Sequence, residues 1–346
     1  MLKRVGTALH GLTVLLMAAV LCCAVLAACS SGSTQGAAQE TSTAQGQGTK
    51  VTGVNVAVSR GTLSVGMASF VDQAKKGELE SNYHVAVLPN SDQIIPGMES
   101  GDLDIAVMTP SAASTLFNET KGKVSVISIN ALGAMGVVTG NRKVKEFGNL
   151  ANRTVYMADE GSVSQYVVEH LLALAGIRDV VKLDFKGDSV GVVAQLRAER
   201  TTVSVLAQPY ATASFTENTR VRQVADLVDV WDELATDSSR FVGGVTVVRN
   251  DFLKRHPELV AAFLLDQAES VRLINEDPTV VLDLVSSTGI MDAEMVTVES
   301  VKACHPVCIQ GTEMRDALSG YLTVLYKANP SAIGGLLPTG DFYYGA

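Results

Sequence analysis

Short apolar runs alternating with helix-length segments constrain the fold of this chain more than any other feature. Residues 51–58 read as a strand, Ser59-Arg60-Gly61 as a glycine-bearing turn, and residues 63–75 as a helix. Residues 84–88 and 103–108 read as strands on either side of a short helix at 93–100, and a helix at 111–118 precedes a strand at 124–129. Strands interleaved with helices argue for a parallel or mixed sheet covered on both faces. The alternation restarts after Asn141. Residues 155–158 read as a strand, and 164–175 as a helix with Val167, Val168, Leu171, Leu172 and Leu174 clustered on one side. Residues 181–185, 190–197 and 203–207 then give strand, helix, strand, and 242–248 a return strand. From His256 onward only helices are expected, at 258–275, 279–287, 293–303 and 312–329, with Gly289 and Pro330 as stops.

Two α/β units followed by a helical tail imply two lobes, with the tail packed back on the first. Lobe 1 is expected to comprise residues 51–135 and 246–346, and lobe 2 residues 136–245. The chain would cross outward at 131–140 and return at 241–248. A body of about 300 residues is large enough for two such lobes.

The N-terminus stands outside this pattern. Lys3 and Arg4 precede an uncharged segment from Val5 to Ala28, with small residues just before Cys29. That is the layout of an export leader covering residues 1–28. Leu26-Ala27-Ala28-Cys29 resembles a bacterial lipobox, and the resemblance implies that Cys29 becomes the lipid-modified first residue of the mature protein. Stable anchoring needs more than one acyl chain, which lipoprotein maturation supplies. The alternatives are a membrane-spanning anchor or a leader cleaved without lipid. Residues 29–50 hold no aromatic residue and no aliphatic larger than Ala, so they read as a flexible tether. The expected location is the outer side of the cytoplasmic membrane, or a periplasm-facing membrane in a two-membrane cell.

Loss of Lys3 and Arg4 with the leader would take the formal charge from −9 to −11. With no long basic run and no basic-aromatic interleaving, nucleic acid is not an expected partner. No later segment has the uninterrupted apolar length of a spanning helix. Cys304 and Cys308 are spaced C-H-P-V-C. In an oxidising compartment such a pair forms a disulfide, and Pro306 favours the turn, so a Cys304–Cys308 bridge is the expectation. Two free thiols or a metal site with His305 are the alternatives; the latter offers only three nearby ligands and lacks a second cluster.

The run Ser100-Gly101-Asp102-Leu103-Asp104-Ile105-Ala106, the Gly161-Ser162 turn before a helix, the strand–helix order and the Leu26–Cys29 motif together make the body similar to the solute-binding lipoproteins of ABC importers, in the nitrate/sulfonate/taurine and thiamine-pyrimidine branch of the type II periplasmic binding protein fold. Ser100-Gly101-Asp102-Leu103-Asp104-Ile105-Ala106 matches that family's strand entry. Asn149-Leu150-Ala151-Asn152-Arg153-Thr154-Val155 stands at the opening of the second lobe, with Ala151-Asn152-Arg153 lacking the family's usual glycine. Gly161-Ser162, followed by a helix, matches a second-lobe ligand turn. Asn329-Pro330-Ser331-Ala332-Ile333-Gly334-Gly335 and Phe342-Tyr343-Tyr344 resemble the close of a subgroup. The resemblance implies an α/β, two-lobed type II fold with a hinge and a C-terminal helical segment packed on the first lobe. It implies capture of a small polar organic or oxyanion ligand between the lobes and delivery to an ABC permease and its ATPase. A monomer without cofactor, and no catalysis, are expected.

Three turns are expected to face such a cleft. Arg60, Gly61 and Thr62 follow the first strand, where Gly61 allows unusual backbone angles and free N–H groups attract oxygens. Thr109 and Ser111 flank Pro110 at a helix start. Gly161, Ser162 and Ser164 form the corresponding turn of the other lobe. Gln208 could hydrogen-bond a ligand, Tyr210 could stack on it, and Gly243 sits at the return crossing. Each turn reads equally well as an ordinary capped junction. Arg60 favours an anion, while Asp159 and Glu160 favour an amine or cationic ring if they face inward. A sensory ligand-presenting lipoprotein and an enzyme on the same fold are the rival readings. His84, His170, His256 and His305 all lie outside the candidate turns, and no nucleophile-elbow, zincin or P-loop pattern is present.

Overall fold

The computed structural model describes residues 53–216 and 219–346. The leader, Cys29 and the tether lie outside the described residues. The strands are β1 (Val54–Ser59), β2 (Tyr83–Leu88), β3 (Ile105–Met108), β4 (Val124–Leu132), β5 (Met135–Thr139), β6 (Thr154–Met157), β7 (Lys182–Phe185), β8 (Val203–Ala207), β9 (Arg222–Asp226), β10 (Val242–Arg249) and β11 (Pro306–Ile309). The helices of the first half are α1 (Ala68–Lys76), α2 (Ile95–Ser100), α3 (Pro110–Glu119), α4 (Val163–Leu174), α5 (Ser189–Ala198) and α6 (Tyr210–Thr216). Those of the second are α7 (Leu227–Leu234), α8 (Asn250–Arg255), α9 (Pro257–Glu276), α10 (Leu282–Ser287), α11 (Val298–Lys302) and α12 (Gly311–Ala328).

The strands form two mixed sheets. A six-stranded sheet has the order β11-β4-β10-β3-β1-β2, and a five-stranded sheet the order β7-β6-β8-β5-β9. β1 runs parallel to β2 and β3, and β6 parallel to β7 and β8, which is the arrangement strand–helix–strand crossovers produce. β10 returns antiparallel between β3 and β4, and β5 lies antiparallel between β8 and β9. β4 is buried along its whole length, as a strand covered on both faces must be. Its two serines are held by neighbours: Ser125 donates to Asn250 Oδ1 and Ser128 to Gln267 Oε1 on α9.

Three strands are not expected from the sequence, and a fourth departs from its expected boundary. Most of the expected outward crossing at 131–140 is occupied by the end of β4 and all of β5, so the chain passes between sheets through Gly133-Ala134 alone. β9 reads Arg-Gln-Val-Ala-Asp and is half-buried throughout, so a sheet edge carries no apolar run to betray it. β11 interrupts the expected all-helical tail. It is a four-residue edge strand that begins on Pro306, a position where the missing N–H costs no ladder bond. β10 joins the first sheet from Val242 on, so the return falls ahead of the expected boundary at 245/246.

α12 packs against β4, β10 and α3, and also against α4 of the second unit. One apolar core consequently runs through both units, from Ile94 and Leu116 to Leu150 and Val168. Trp231 is fully buried at this junction. Its indole stacks on Phe241 at a centroid distance of 6.0 Å and lies 5.8 Å from the Tyr321 ring on α12. The indole N–H donates to the Ser239 carbonyl at 3.1 Å, so the ring's one polar atom is satisfied.

Candidate ligand cleft

The strand registers decide which ends of the two sheets face each other. β4 ends at Leu132 and β5 begins at Met135, so those two ends border the crossing. Val242, at the start of β10, pairs with Leu132, and Val245 pairs with Met108 at the end of β3. The parallel partner β1 therefore also ends, at Ser59, on the crossing side. In the second sheet Met135 pairs with Ala207 at the end of β8, and β6 ends on the same side. The turns after β1, β3, β6 and β8 thus all lie on the hinge-facing edges. Three of the four lead into α3, α4 and α6, and the first into a 3-10 turn at Thr62–Met67. Helix starts present unpaired N–H groups and partial positive charge, which suits oxygens of a polar solute.

Each turn has its own internal bonding. Arg60 N–H donates to the Leu88 carbonyl at 2.7 Å and Gly61 N–H to Ile290 at 2.9 Å, so these two donors are already used. Gly61 has φ 105°, a backbone angle that favours glycine. The Arg60 guanidinium pairs with Asp292 at 2.6 Å on an exposed rim, a contact worth about 0–1 kcal/mol. Thr62 makes no side-chain cap. Thr109 caps α3 by accepting from Ala112 N–H at 3.3 Å, and its Oγ1 lies 3.3 Å from the Ser111 hydroxyl. Ser162 caps α4 by accepting from Gln165 N–H, while Gln165 Oε1 accepts from Gly161 N–H at 2.6 Å. Ser164 is the second residue of α4 and is half-buried.

Gln208 is buried, and its Oε1 accepts from the N–H and hydroxyl of Thr212, holding the start of α6. Its own N–H donates to Ala134 in the crossing. Tyr210 is half-buried and packs on the small apolar cluster of Val192, Leu196 and Ala211 in the second unit. A methyl on Gly243 would stand 2.2 Å from the Leu132 carbonyl oxygen, so this glycine permits the close approach of β10 to the end of β4. Asp159 and Glu160 are exposed.

The expected disulfide is absent. Cys304 and Cys308 are free thiols. Cys304 is turned into the apolar core beside Val301 and donates to the Ser300 carbonyl at 3.1 Å. His305 then takes a positive φ of 46° and the chain leaves as the extended β11, which carries Cys308 onward instead of folding it back. An extended strand advances about 3.3 Å per residue, whereas a disulfide needs Cα atoms roughly 4.4–6.8 Å apart. Burial pushes the Cys304 thiol up to about 12 and raises Cys308 as well. Among the described residues no group of three or more His, Cys, Asp or Glu side chains could hold a metal ion.

Sequence reasoning missed the side chains that tie the two units together. His305 Nε2 lies 3.0 Å from Asp226 Oδ2, joining the shoulder of β11 to the end of β9. Asp226 also caps α7 through Val228 N–H. On the opposite flank Asn329 donates to the Tyr166 hydroxyl at 3.0 Å, and that hydroxyl donates to the Gly161 carbonyl. Asn130 is missed too; its one legible sign is an amide inside the apolar run of β4. Its side chain donates to the Leu63 carbonyl in the first turn.

No family model and no curated protein matches the chain by sequence. Solved structures do share its fold. An ABC transporter structure from Parabacteroides distasonis is 20% identical with a TM-score of 0.70, covering 84% of this chain and 98% of that one. The periplasmic aliphatic sulphonate binding protein SsuA from Escherichia coli is 14% identical with a TM-score of 0.64, over 84% and 92% of the two chains. The alkanesulfonate-binding protein SsuA from Xanthomonas axonopodis pv. citri, bound to MOPS, gives 10%, 0.52, and coverage of 83% and 94%. The chain has the bilobed α/β fold typical of type II periplasmic binding proteins. Among the described residues no helix is long and apolar enough to cross a membrane.

Proposed function

We propose that this chain is an extracytoplasmic solute-binding protein that captures a small polar organic or oxyanion ligand between its lobes and delivers it to an ABC permease and its ATPase. The carrying observation is the placement of the turns after β1, β3, β6 and β8 on the two hinge-facing sheet edges. A solute that bonds both edges at once stabilises the closed arrangement over the open one, and only such differential contact can shift a hinge equilibrium. The two lobes are built on the two sheets and joined near Gly133 and Gly243. Residues 60–62, 109–111, 161–164 and 208–210 supply the contacts, and Cys29 carries the lipid that holds the protein on the outer face of the membrane. The protein works as a monomer and makes or breaks no bond in its ligand. Arg60, held only by an exposed ion pair, is free to exchange Asp292 for an anionic group.

A thermal-shift panel of sulfonates, nitrate, bicarbonate, amino acids, polyamines and pyrimidine compounds tests this reading. At a hundredfold excess over Kd a ligand adds about 2.7 kcal/mol, which moves the midpoint of a body this size by roughly 5 °C. Such a shift from at least one member is expected. No shift from any member contradicts the stated ligand class.

A further inference from the structure

Asn130 stands two residues before the end of β4, the last strand before the chain crosses to the second sheet. It is 1% exposed. Its Nδ2 donates to the Leu63 carbonyl. A carbonyl accepts and never donates, so that contact determines which end of the amide is nitrogen and leaves oxygen as the other end. Oδ1 has no hydrogen-bond partner among the described residues, and neither has the hydroxyl of Ser64, the next residue in the same turn. A methyl on Gly244 would lie 3.1 Å from Oδ1 and 3.2 Å from Nδ2, so the bare glycine is what lets the amide rest against β10. The turn after β1, the end of β4 and the start of β10 therefore meet at this one amide, on the hinge-facing edge of the first sheet.

An unmatched buried acceptor is costly, and the neighbouring polar groups avoid it. Ser128 donates to Gln267, and Gln267 donates to the Thr246 hydroxyl at 2.8 Å, all within the same layer between sheet and α9. A third orphan, Ser204 Oγ, lies inside β8 and away from this edge.

We propose that Asn130 Oδ1 is a ligand acceptor at the floor of the cleft, and that the captured solute carries a hydrogen-bond donor: an ammonium, an amide N–H or a hydroxyl. This rests on the capture reading and narrows its substrate class. Helix starts on both edges suit the oxygens of the solute, and Asn130 suits its donor, so a zwitterion or an amino-bearing oxyanion matches both. A bare oxyanion sets oxygen against oxygen at Oδ1.

Matched pairs that differ only in the donor test the proposal on the full chain: taurine against ethanesulfonate, and β-alanine against propionate, by titration calorimetry. The donor-bearing member of at least one pair is expected to bind roughly tenfold or more tightly than its partner, the effect of one hydrogen bond to a charged group. Asn130→Leu should reduce that preference to less than about twofold. The wild-type comparison needs no variant, so misfolding of Asn130→Leu does not shelter the proposal. Equal binding of both members in every pair that binds overturns the donor requirement while leaving capture intact. A preference that survives in a folded Asn130→Leu protein overturns the role of Asn130. If neither pair binds although another solute of the wider panel does, the inference stands when that solute has a donor and Asn130→Leu weakens its binding, and falls when it lacks a donor or binds a folded Asn130→Leu protein equally well. If nothing on the panel binds, the capture reading falls and takes the inference with it.

Discussion

Replacing Gly133 by Ala probes the crossing between the two sheets at its tightest point. The new methyl would stand 2.1 Å from Cδ1 and Cε1 of Phe241 and 2.5 Å from Cγ, well inside any carbon–carbon contact. Phe241 has little room to retreat. It is 5% exposed, with Trp231 stacked at 6.0 Å and Tyr321 at 6.0 Å. Overpacking of this kind costs about 1–3 kcal/mol, occasionally more, and the stiffer unfolded chain returns only about 0.4–1 kcal/mol. A net loss of roughly 1–2 kcal/mol is expected, seen as a fall in midpoint of about 2–4 °C. Phe241→Ala alone should cost about 3–5 kcal/mol by opening a cavity. In that background the clash is gone, so Gly133→Ala should become neutral or slightly stabilising. Urea unfolding of the four proteins gives the coupling directly, with about 2 kcal/mol expected. A coupling under about 0.5 kcal/mol, meaning that Gly133→Ala costs as much with Phe241→Ala as without it, would refute the geometry of the crossing.

Further outcomes follow from the same packing. The Cys304 and Cys308 thiols should both be titrated by a disulfide reagent in denaturant, but only Cys308 rapidly in the native protein; a mass corresponding to an intramolecular bridge in freshly purified, unreduced protein would contradict the free-thiol arrangement. Burial raises Cys304 to about 12, Tyr343 to about 12, and Tyr83 and Tyr321 further. The unfolded chain then loses these protons first, so the stability these groups contribute should be level below about pH 9 and fall between about pH 9 and 12, by up to roughly 1.4 kcal/mol per pH unit for each group; a flat alkaline profile would count against their burial. Asp226→Ala removes both the cap of α7 and the His305 contact and should cost about 1–2 kcal/mol more than Asp226→Asn, which keeps a capping oxygen; equal costs would mean that the cap contributes nothing.

Sequence and structure agree where the signal is local. The apolar stripe of Val167, Val168, Leu171 and Leu172 gives α4, Thr109 before Pro110 gives the start of α3, and the strand–helix alternation gives the fold class. What the sequence hides depends on distant partners. β9 and β11 are strands only because β5 and β4 offer them an edge. The Cys304–Cys308 spacing suggests a turn, but β11 pairing draws that stretch out straight. Arg60 looks like a free cation until Asp292, from the far end of the chain, stands beside it. Asn130 is legible as an oddity within β4, yet only Leu63 and Gly244 reveal which of its atoms is left unmatched.

Hydrogen–deuterium exchange with and without a stabilising solute tests capture between the lobes most directly. Slowed exchange is expected in the turns at 59–62 and 109–111 together with those at 161–164 and 208–210, one pair from each sheet, rising and saturating with the same solute concentration. Protection limited to the turns of one sheet, or to a surface remote from both hinge-facing edges, would contradict capture between the lobes.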